Sequence, residues 1–352
     1  MTVKKVSNVA ASHRAKLLAL ARNRGEDFQF LLGRWVVERF LFRLAGSSQK
    51  DAFILKGATL FLAWEGQLHR PTRDLDLLGF GSPDVDDATR RIRDVCAAPV
   101  ADGIVFDLAG IQGERIKEDA EYEGVRVRVP ASLDGARISM QIDIGFGDLV
   151  DPPPAEITLP VLLPLDAPVI RGYPPEAVIA EKFHAMVVLG IANSRMKDFF
   201  DIWTLARGRQ FDLDRLSHSV RSTFERRRTA LPRTAPLALT AEFLEDRSKQ
   251  TQWLAFGKRL GLRGLPSLPL VGEQIAAFLL PVLGALHAAD SGSQTWEPGG
   301  PWWTSAANKR GLGKRRRRRT RDTARHSRNS PSEAAALVMT PAEPAVGIHR
   351  DL

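Results

Sequence analysis

Two stretches of alternating residues do most to constrain how this chain can fold. Arg73-Asp74-Leu75-Asp76-Leu77 and Ser139-Met140-Gln141-Ile142-Asp143-Ile144 both run with a period of two. That is the repeat of a β-strand, in which residues i and i+2 share a face. Asp74 and Asp76 are thus predicted to point one way, with Leu75 and Leu77 packed behind them. Met140, Ile142 and Ile144 share one face of the second strand, and Gln141 and Asp143 lie on the other. Carboxylates gathered on a rigid sheet repel one another unless a cation sits between them. Hard oxygen ligands with room for water and phosphate suit Mg²⁺. The pattern therefore points to metal-assisted phosphoryl or nucleotidyl transfer, with Asp74, Asp76 and Asp143 as candidate metal ligands. A lone Asp-x-Asp is more often a solvated face or turn. Here the aliphatic neighbours make an unpaired charge costly, which favours the functional reading.

The rest of the chain falls into three expected parts. Residues 1–173 read as an α/β domain with N-terminal helices. Apolar spacing of three and four in 15–21 and 30–41 gives the helices, and 103–148 alternate as strands. After Pro174-Pro175 the character changes, and 174–304 read as a helical domain. Residues 305–352 carry twelve Lys or Arg against four Asp or Glu, a net +8 of the chain's +9. This part includes the unbroken run Arg315 to Arg319, so it is expected to be a disordered basic tail. The folded body is close to neutral, and the charge of the chain says little about its partners. No apolar run is expected to reach bilayer length, and Met1 to Ala15 has no apolar signal core. A single cysteine, Cys96, excludes an internal disulfide and a Cys-rich zinc site. The default setting is reducing and cytoplasmic, without a membrane partner.

Three further motifs carry possible chemistry. Lys56-Gly57-Ala58-Thr59 precedes an expected helix. Gly57 lets the backbone approach a phosphate, Thr59 offers a hydroxyl, and the helix start favours an anion. The competing reading is a plain strand-to-helix turn. Arg70 and Arg73 flank the acid pair and either hold a triphosphate or offset the acids. Lys182 and Asp198 lie on apolar helical stripes, where each needs a partner or a ligand. They form either a structural ion pair or a functional one, with Lys182 on a nucleotide phosphate and Asp198 orienting it. Asp201 is a nearby second candidate. Trp302-Trp303 either stack on bases or close the end of the helical domain.

Taken together, these segments resemble the AbiEii/AbiGii toxin family of nucleotidyltransferases, the toxin half of type IV toxin–antitoxin pairs. The resemblance rests on Glu38-Arg39-Phe40-Leu41-Phe42-Arg43-Leu44, Phe53 to Leu60, Arg70 to Leu77, Gln141 to Asp148, Ala180-Glu181-Lys182-Phe183 and Lys197-Asp198-Phe199-Phe200-Asp201-Ile202. It extends over about residues 8 to 304; the order and spacing of the motifs carry it. It implies an α+β fold of the polymerase-β-like nucleotidyltransferase kind, with a mixed sheet followed by a helical domain. It also implies NTP as substrate, Mg²⁺ as cofactor, and a cognate antitoxin of the AbiEi type, typically with a winged-helix DNA-binding part. Some related toxins add nucleotides to the acceptor end of tRNA and so stop translation, and the family name implies a part in abortive infection. Carried over by position, Gly57 and Thr59 would sit in the nucleotide-binding turn and Asp74 and Asp76 would hold metal; Lys56 and Arg73 join them as candidate nucleotide-binding residues from the residue reading above. Lys182 and Asp198 match the later Lys and Asp motifs, and Asp143 matches the third acid of the wider superfamily. Ala58 departs from the pattern, standing where many relatives have a second glycine.

The expected reaction is attack by an RNA 3′-hydroxyl on the α-phosphate of an NTP, most simply on tRNA. Two alternatives stand beside it: nucleotidylation of a protein, and a non-catalytic nucleotide-binding module acting through a partner. A DNA-binding regulator rests on the arginine run alone.

Overall fold

In a computed structural model the protein is described for residues 8–68, 70, 72, 74–117, 123–262, 264–288 and 293–304. The expected basic tail and Arg73 lie outside these residues. The chain divides into two compact units, Met1–Pro174 and Pro175–Leu352.

The first unit opens with two helices, α1 (Val9–Arg24) and α2 (Phe28–Ala45). Each begins where a short polar side chain takes up an orphan backbone N–H, which contributes about 1 kcal/mol. Asn8 accepts from Ala11 at 2.9 Å and Asp27 from Phe30 at 2.7 Å. Gly25, in the left-handed conformation, ends α1. Then come β1 (Phe53–Lys56), a single 3₁₀ turn at Gly57–Thr59, α3 (Leu60–Glu65), β2 (Asp74–Gly79) and α4 (Val85–Ala97). The unit finishes with β3 (Ile104–Phe106), β4 (Gln112–Lys117), β5 (Glu123–Leu133), β6 (Ala136–Phe146), β7 (Ala155–Thr158) and β8 (Val169–Gly172).

These strands make one mixed sheet in the order β3-β5-β6-β2-β1-β8-β7, with β4 beside β3 on the outer edge of β5. The pairs β2–β6 and β1–β8 are parallel and the others antiparallel. The sequence reading found β2, β5 and β6 because they alternate; it passed over β4 and β8, which are short and polar or glycine-ended. One face of the sheet is apolar. Leu75, Leu77, Val125, Val127, Val129, Ile142 and Ile144 are completely buried, each contributing about 1.5–3 kcal/mol. Helix α2 covers β6 and β8 on this side, and α4 covers β4 and β5.

Asp102, 1% exposed, ties α2 to the turn before β3. Arg43 forks onto it, with Nη1 donating to Oδ2 at 2.6 Å and Nη2 to Oδ1 at 3.0 Å. Arg39 Nε donates at 3.3 Å, and the Ile104 N–H at 3.1 Å. Two buried cations thus share one buried anion that also ends the turn.

Gly33 sits inside α2, where glycine costs about 1 kcal/mol relative to alanine. A Cβ placed there meets nothing within 4 Å. Gly33→Ala is therefore expected to stabilise the fold by roughly 0.5–1 kcal/mol, read as a higher urea midpoint with unchanged slope. A lower midpoint would show that the space is not free.

The second unit contains α5 (Pro175–Leu189), α6 (Met196–Gly208), β9 (Phe211–Asp212), α7 (Leu213–Arg226), α8 (Ala241–Leu244), α9 (Arg247–Arg259), α10 (Leu268–His287), β10 (Gln294–Trp296) and β11 (Trp302–Thr304). The helical expectation holds for most of it, but the short strands form a three-stranded sheet, β11-β10-β9, that was not foreseen. Trp302 closes this unit. It stacks on Phe278 at 5.7 Å with 2° between the ring planes, and its Nε1 donates to the Phe278 carbonyl at 2.9 Å. The expectation that no apolar run reaches bilayer length needs correcting. Leu268–His287 is long and apolar enough to cross a membrane by length and composition. Its Val271, Ile275, Phe278, Leu279 and Val282 are, however, fully buried against the rest of this unit, as in the core helix of a helical domain.

Candidate active site

The polar face of the large sheet is built by register. Paired residues on neighbouring strands project to the same side. Asp76 pairs with Lys56 of β1 and Asp143 of β6; Asp143 pairs with Arg126 of β5, and Arg126 with Glu114 of β4. One charged row therefore crosses five strands: Lys56, Asp76, Asp143, Arg126, Glu114. The next row holds Asp74, Gln141, Arg128 and Gln112. The sequence expectation that Asp74 and Asp76 share a face, opposite buried leucines, is met: Asp74 is exposed, Asp76 half-buried, and Leu75 and Leu77 fully buried.

Gly57 fixes the position of Asp76. Its φ of +75° is left-handed, and a Cβ there would lie 2.7 Å from Asp76 Cγ and 2.8 Å from Asp76 Cβ, with Oδ2 closer still. The Asp76 carboxylate is thus seated directly on the glycine turn, and both the backbone angle and the close approach demand glycine. Lys56, buried beside it, lies 3.8 Å from Asp148. Thr59 is buried at the end of the same turn. The helix after the turn, α3, has only six residues, so its dipole offers an anion little.

Asp143 is clasped by two side chains. Arg126 donates to both of its oxygens at 2.8 Å, and Gln141 Nε2 to Oδ2 at 3.4 Å. The Asp143 hydrogen bonds hold the Arg126 guanidinium above its ordinary value, with smaller help from the charge on Asp74. Among the described residues no group of three or more His, Cys, Asp or Glu gathers as a ready-made metal cage. Asp74 and Asp76 nevertheless fit a hard divalent ion in an open site. Two oxygen donors project from one strand face, which leaves the remaining coordination to phosphate and water.

In the second unit, Lys182 Nζ lies 2.7 Å from Asp198 Oδ1 and 2.9 Å from Asp201 Oδ2, and Arg195 Nε lies 3.0 Å from Asp198 Oδ2. Both acids are 1% exposed and Lys182 13%. The sequence singled out all three residues; the structure brings them together as one buried cluster joining α5 and α6.

A cavity of about 300 Å³ in the first unit counts Asp74 and Thr59 among its lining residues. Sequence reasoning missed it. Helix α2 contributes Gly33, Arg34, Val37 and Glu38 to the lining. Burial pushes the Glu38 carboxyl up to about 7, against the pull of the Leu162 N–H, 2.8 Å from Oε2, and of Arg39 and Arg34. The folded chain thus holds this proton more tightly than the unfolded chain. The stability it contributes is full below the unfolded value of 4.5 and is lost as pH rises through about 7. Glu38→Gln keeps the acceptor for Leu162 but cannot ionise. It should gain on the parent by up to about 3 kcal/mol in urea unfolding between about pH 5 and pH 8. Equal pH slopes for the two proteins would contradict this. Cys96 is free and buried, its thiol pushed up to about 12, and so is unreactive.

Comparison with known proteins gives the class first: the family model that matches residues 39–273, two thirds of the chain, describes nucleotidyl transferases. The chain belongs to the AbiEii toxin family of nucleotidyltransferases, of type IV toxin–antitoxin systems. That family accounts for a mixed sheet followed by helices, in keeping with a polymerase-β-like fold, and implies a nucleotide substrate and an antitoxin partner. Among solved structures, JHP933 from Helicobacter pylori is 15% identical, with a TM-score of 0.44 over 74% of this chain and 94% of that one. A second H. pylori protein, provisionally titled a nucleotidyltransferase, is 16% identical, with a TM-score of 0.42 over 74% and 97%. No curated protein matches the chain.

Proposed function

We propose that the protein transfers a nucleoside monophosphate from an NTP to the 3′ end of an RNA, with tRNA as the first candidate, and that its antitoxin is of the AbiEi type. The observation that carries this reading is the seating of the Asp76 carboxylate on the Gly57 turn, in register with Lys56 and Asp143. Asp74 and Asp76 would hold Mg²⁺. When bound, the ion supplies charge neutralisation at the phosphates and a lowered hydroxyl pKa. The RNA 3′-oxygen forms a bond to the α-phosphorus as the bond to the pyrophosphate oxygen breaks, and the hydroxyl proton passes to solvent. Lys56 and Arg73 offset charge on the triphosphate, and Gly57 and Thr59 shape the turn on which it rests. Because both Asp143 oxygens accept from Arg126, its part in this reading is to position that cation in the row next to the metal pair. In the second unit, Lys182 is assigned to a nucleotide phosphate, with Asp198 and Asp201 orienting it.

The test is incubation of the protein with each labelled NTP, total tRNA and total cell protein, with Mg²⁺ present or chelated. Label in tRNA, dependent on Mg²⁺, is expected; label in protein alone would move the acceptor to a side chain. NTP binding with no pyrophosphate release would leave only a binding module. Gly57→Ala, which keeps every acid, should lower transfer at least about tenfold by displacing the Asp76 carboxylate. Unchanged kinetics would separate the turn from the reaction.

A further inference from the structure

Six arginines and a single acid, Glu225, fall between Arg215 and Thr240 in the second unit. Six against one leaves +5 there, whereas residues 1–304 together sum to only +1, the chain's +9 less the +8 of 305–352. Arg221, Arg226, Arg228 and Arg233 are exposed, in the last turns of α7 and the chain that follows it. Among the described residues no large apolar side chain is exposed between Ile191 and Leu254. A surface with charge but no apolar anchor suits the backbone of a polyanion better than the centre of a protein interface.

The end of α7 adds a second observation. The Thr229 N–H donates to the Phe224 carbonyl at 2.9 Å, and the Arg228 N–H to the Glu225 carbonyl at 3.0 Å. In this helix-ending motif the residue after the cap turns left-handed and is usually glycine. Here it is Arg228, with φ of +50°. A side chain strains the backbone at that angle, and glycine does not. Arg228 has no side-chain hydrogen bond or ion pair among the described residues, so no contact within the fold offsets the strain. Cations do complement the carbonyl end of a helix, but Arg226 in the last turn and Arg227 at the cap already supply them. Strain kept at an exposed charged residue without a partner points to a ligand.

The turn is also held in place. Thr229 Oγ1 lies 2.8 Å from His184 Nε2, and His287 Nε2 lies 3.0 Å from the Pro232 carbonyl. Arg227, whose side chain is 9% exposed, reaches His184 Nδ1 at 3.4 Å and Glu181 Oε1 at 3.9 Å. Glu181 and His184 stand on either side of Lys182 in the sequence of α5. The arginine turn is therefore fixed to the helix that carries the Lys182 cluster.

We infer that Arg226, Arg228 and Arg233 hold the phosphate backbone of the acceptor RNA. A guanidinium forks onto two phosphate oxygens, and such contacts position a strand without reading its bases. The inference rests on the nucleotidyl-transfer reading for RNA as the polyanion.

The experiment measures binding of the full chain to tRNA over a salt series without NTP, which reads the surface apart from turnover. Residues 305–352 are common to parent and variants, so differences alone are compared. Arg228→Gly should raise the urea midpoint by relieving the left-handed angle, yet weaken tRNA binding at least about threefold. It should flatten the slope of log affinity against log salt by about 0.7–0.9, the value of one phosphate contact. Arg233→Gln should flatten it equally, and the double variant by twice as much. Arg22→Gln, at an exposed arginine of α1, should leave the slope unchanged. Unchanged slopes in both Arg228→Gly and Arg233→Gln would overturn the inference, as would an equal effect of Arg22→Gln, which would reduce it to net charge. Poly-glutamate bound as tightly as tRNA, with the same losses, would overturn it too and assign the surface to an acidic protein. If Arg228→Gly lowers the midpoint, Arg233→Gln decides. Transfer to tRNA with unaltered slopes would keep the reaction and remove the surface; flattened slopes in a protein that transfers nothing would do the reverse.

Discussion

Asp76→Ala is expected to lower nucleotide transfer by roughly 10³-fold or more while the protein still folds. The loss follows from geometry. Asp76 is the acid pressed against the left-handed Gly57, and its strand neighbours Leu75 and Leu77 fix the direction of its side chain by being wholly buried. No other carboxylate can take that position: Asp74 is two residues away along the strand, and Asp143 is clasped by Arg126. The fold should survive because the substitution falls on the polar face, leaves the apolar face intact and removes one of two carboxylates paired across β2 and β6. Asp76→Asn, which keeps the shape but not the charge, should lose as much activity. Two measurements are needed on each variant, pyrophosphate release and the urea midpoint. Transfer at the wild-type rate by either would remove Asp76 from the reaction, and loss of folding would make it a structural residue.

The largest effect on stability should come from Asp102→Ala. The change leaves Arg43 and Arg39, 3% and 1% exposed, buried with no anion between them and unties the Ile104 N–H. Removing one partner of a buried ion cluster costs about 3–5 kcal/mol, a large part of the stability of a typical domain. The expected readout is a large fall in urea midpoint, or failure to accumulate as folded protein. Asp102→Asn, which retains acceptor capacity, should lose less. A midpoint within about 0.5 kcal/mol of wild type would show that the two arginines find other acceptors, such as the Asp166 and Ala98 carbonyls they already touch.

How far the sequence foretold this architecture depended on whether a residue's environment repeats along the chain. β2 and β6 were legible because alternation is imposed by a sheet with one wet face and one dry one. Lys182 and Asp198 were legible because charges on apolar helical stripes demand partners, and Asp201 entered as a neighbouring candidate. Asp102 was not: Ala101-Asp102-Gly103 reads as an ordinary turn, and its importance comes from arginines some sixty residues earlier. A clue was present in α2, where Glu38, Arg39 and Arg43 interrupt a helix that is apolar on nearly every side. The row linking Asp76 to Asp143 and Arg126 was also beyond reach, since period-two patterns fix a face but not a register between distant strands. Gly33 and its cavity left no periodic trace, because an empty space is written by the residues that surround it.

The in-parallel joining of β2 to β6 has a bearing on how such a toxin is made. Both acids proposed to hold the metal are in place by residue 76, yet the rung that sets them against Asp143 and Arg126 cannot close until β5 and β6 have followed. A ribosome that has finished only the first hundred residues has therefore synthesised the acids without their scaffold. Nascent or prematurely truncated chains ending before Phe146 should accordingly be harmless to the cell that is producing them.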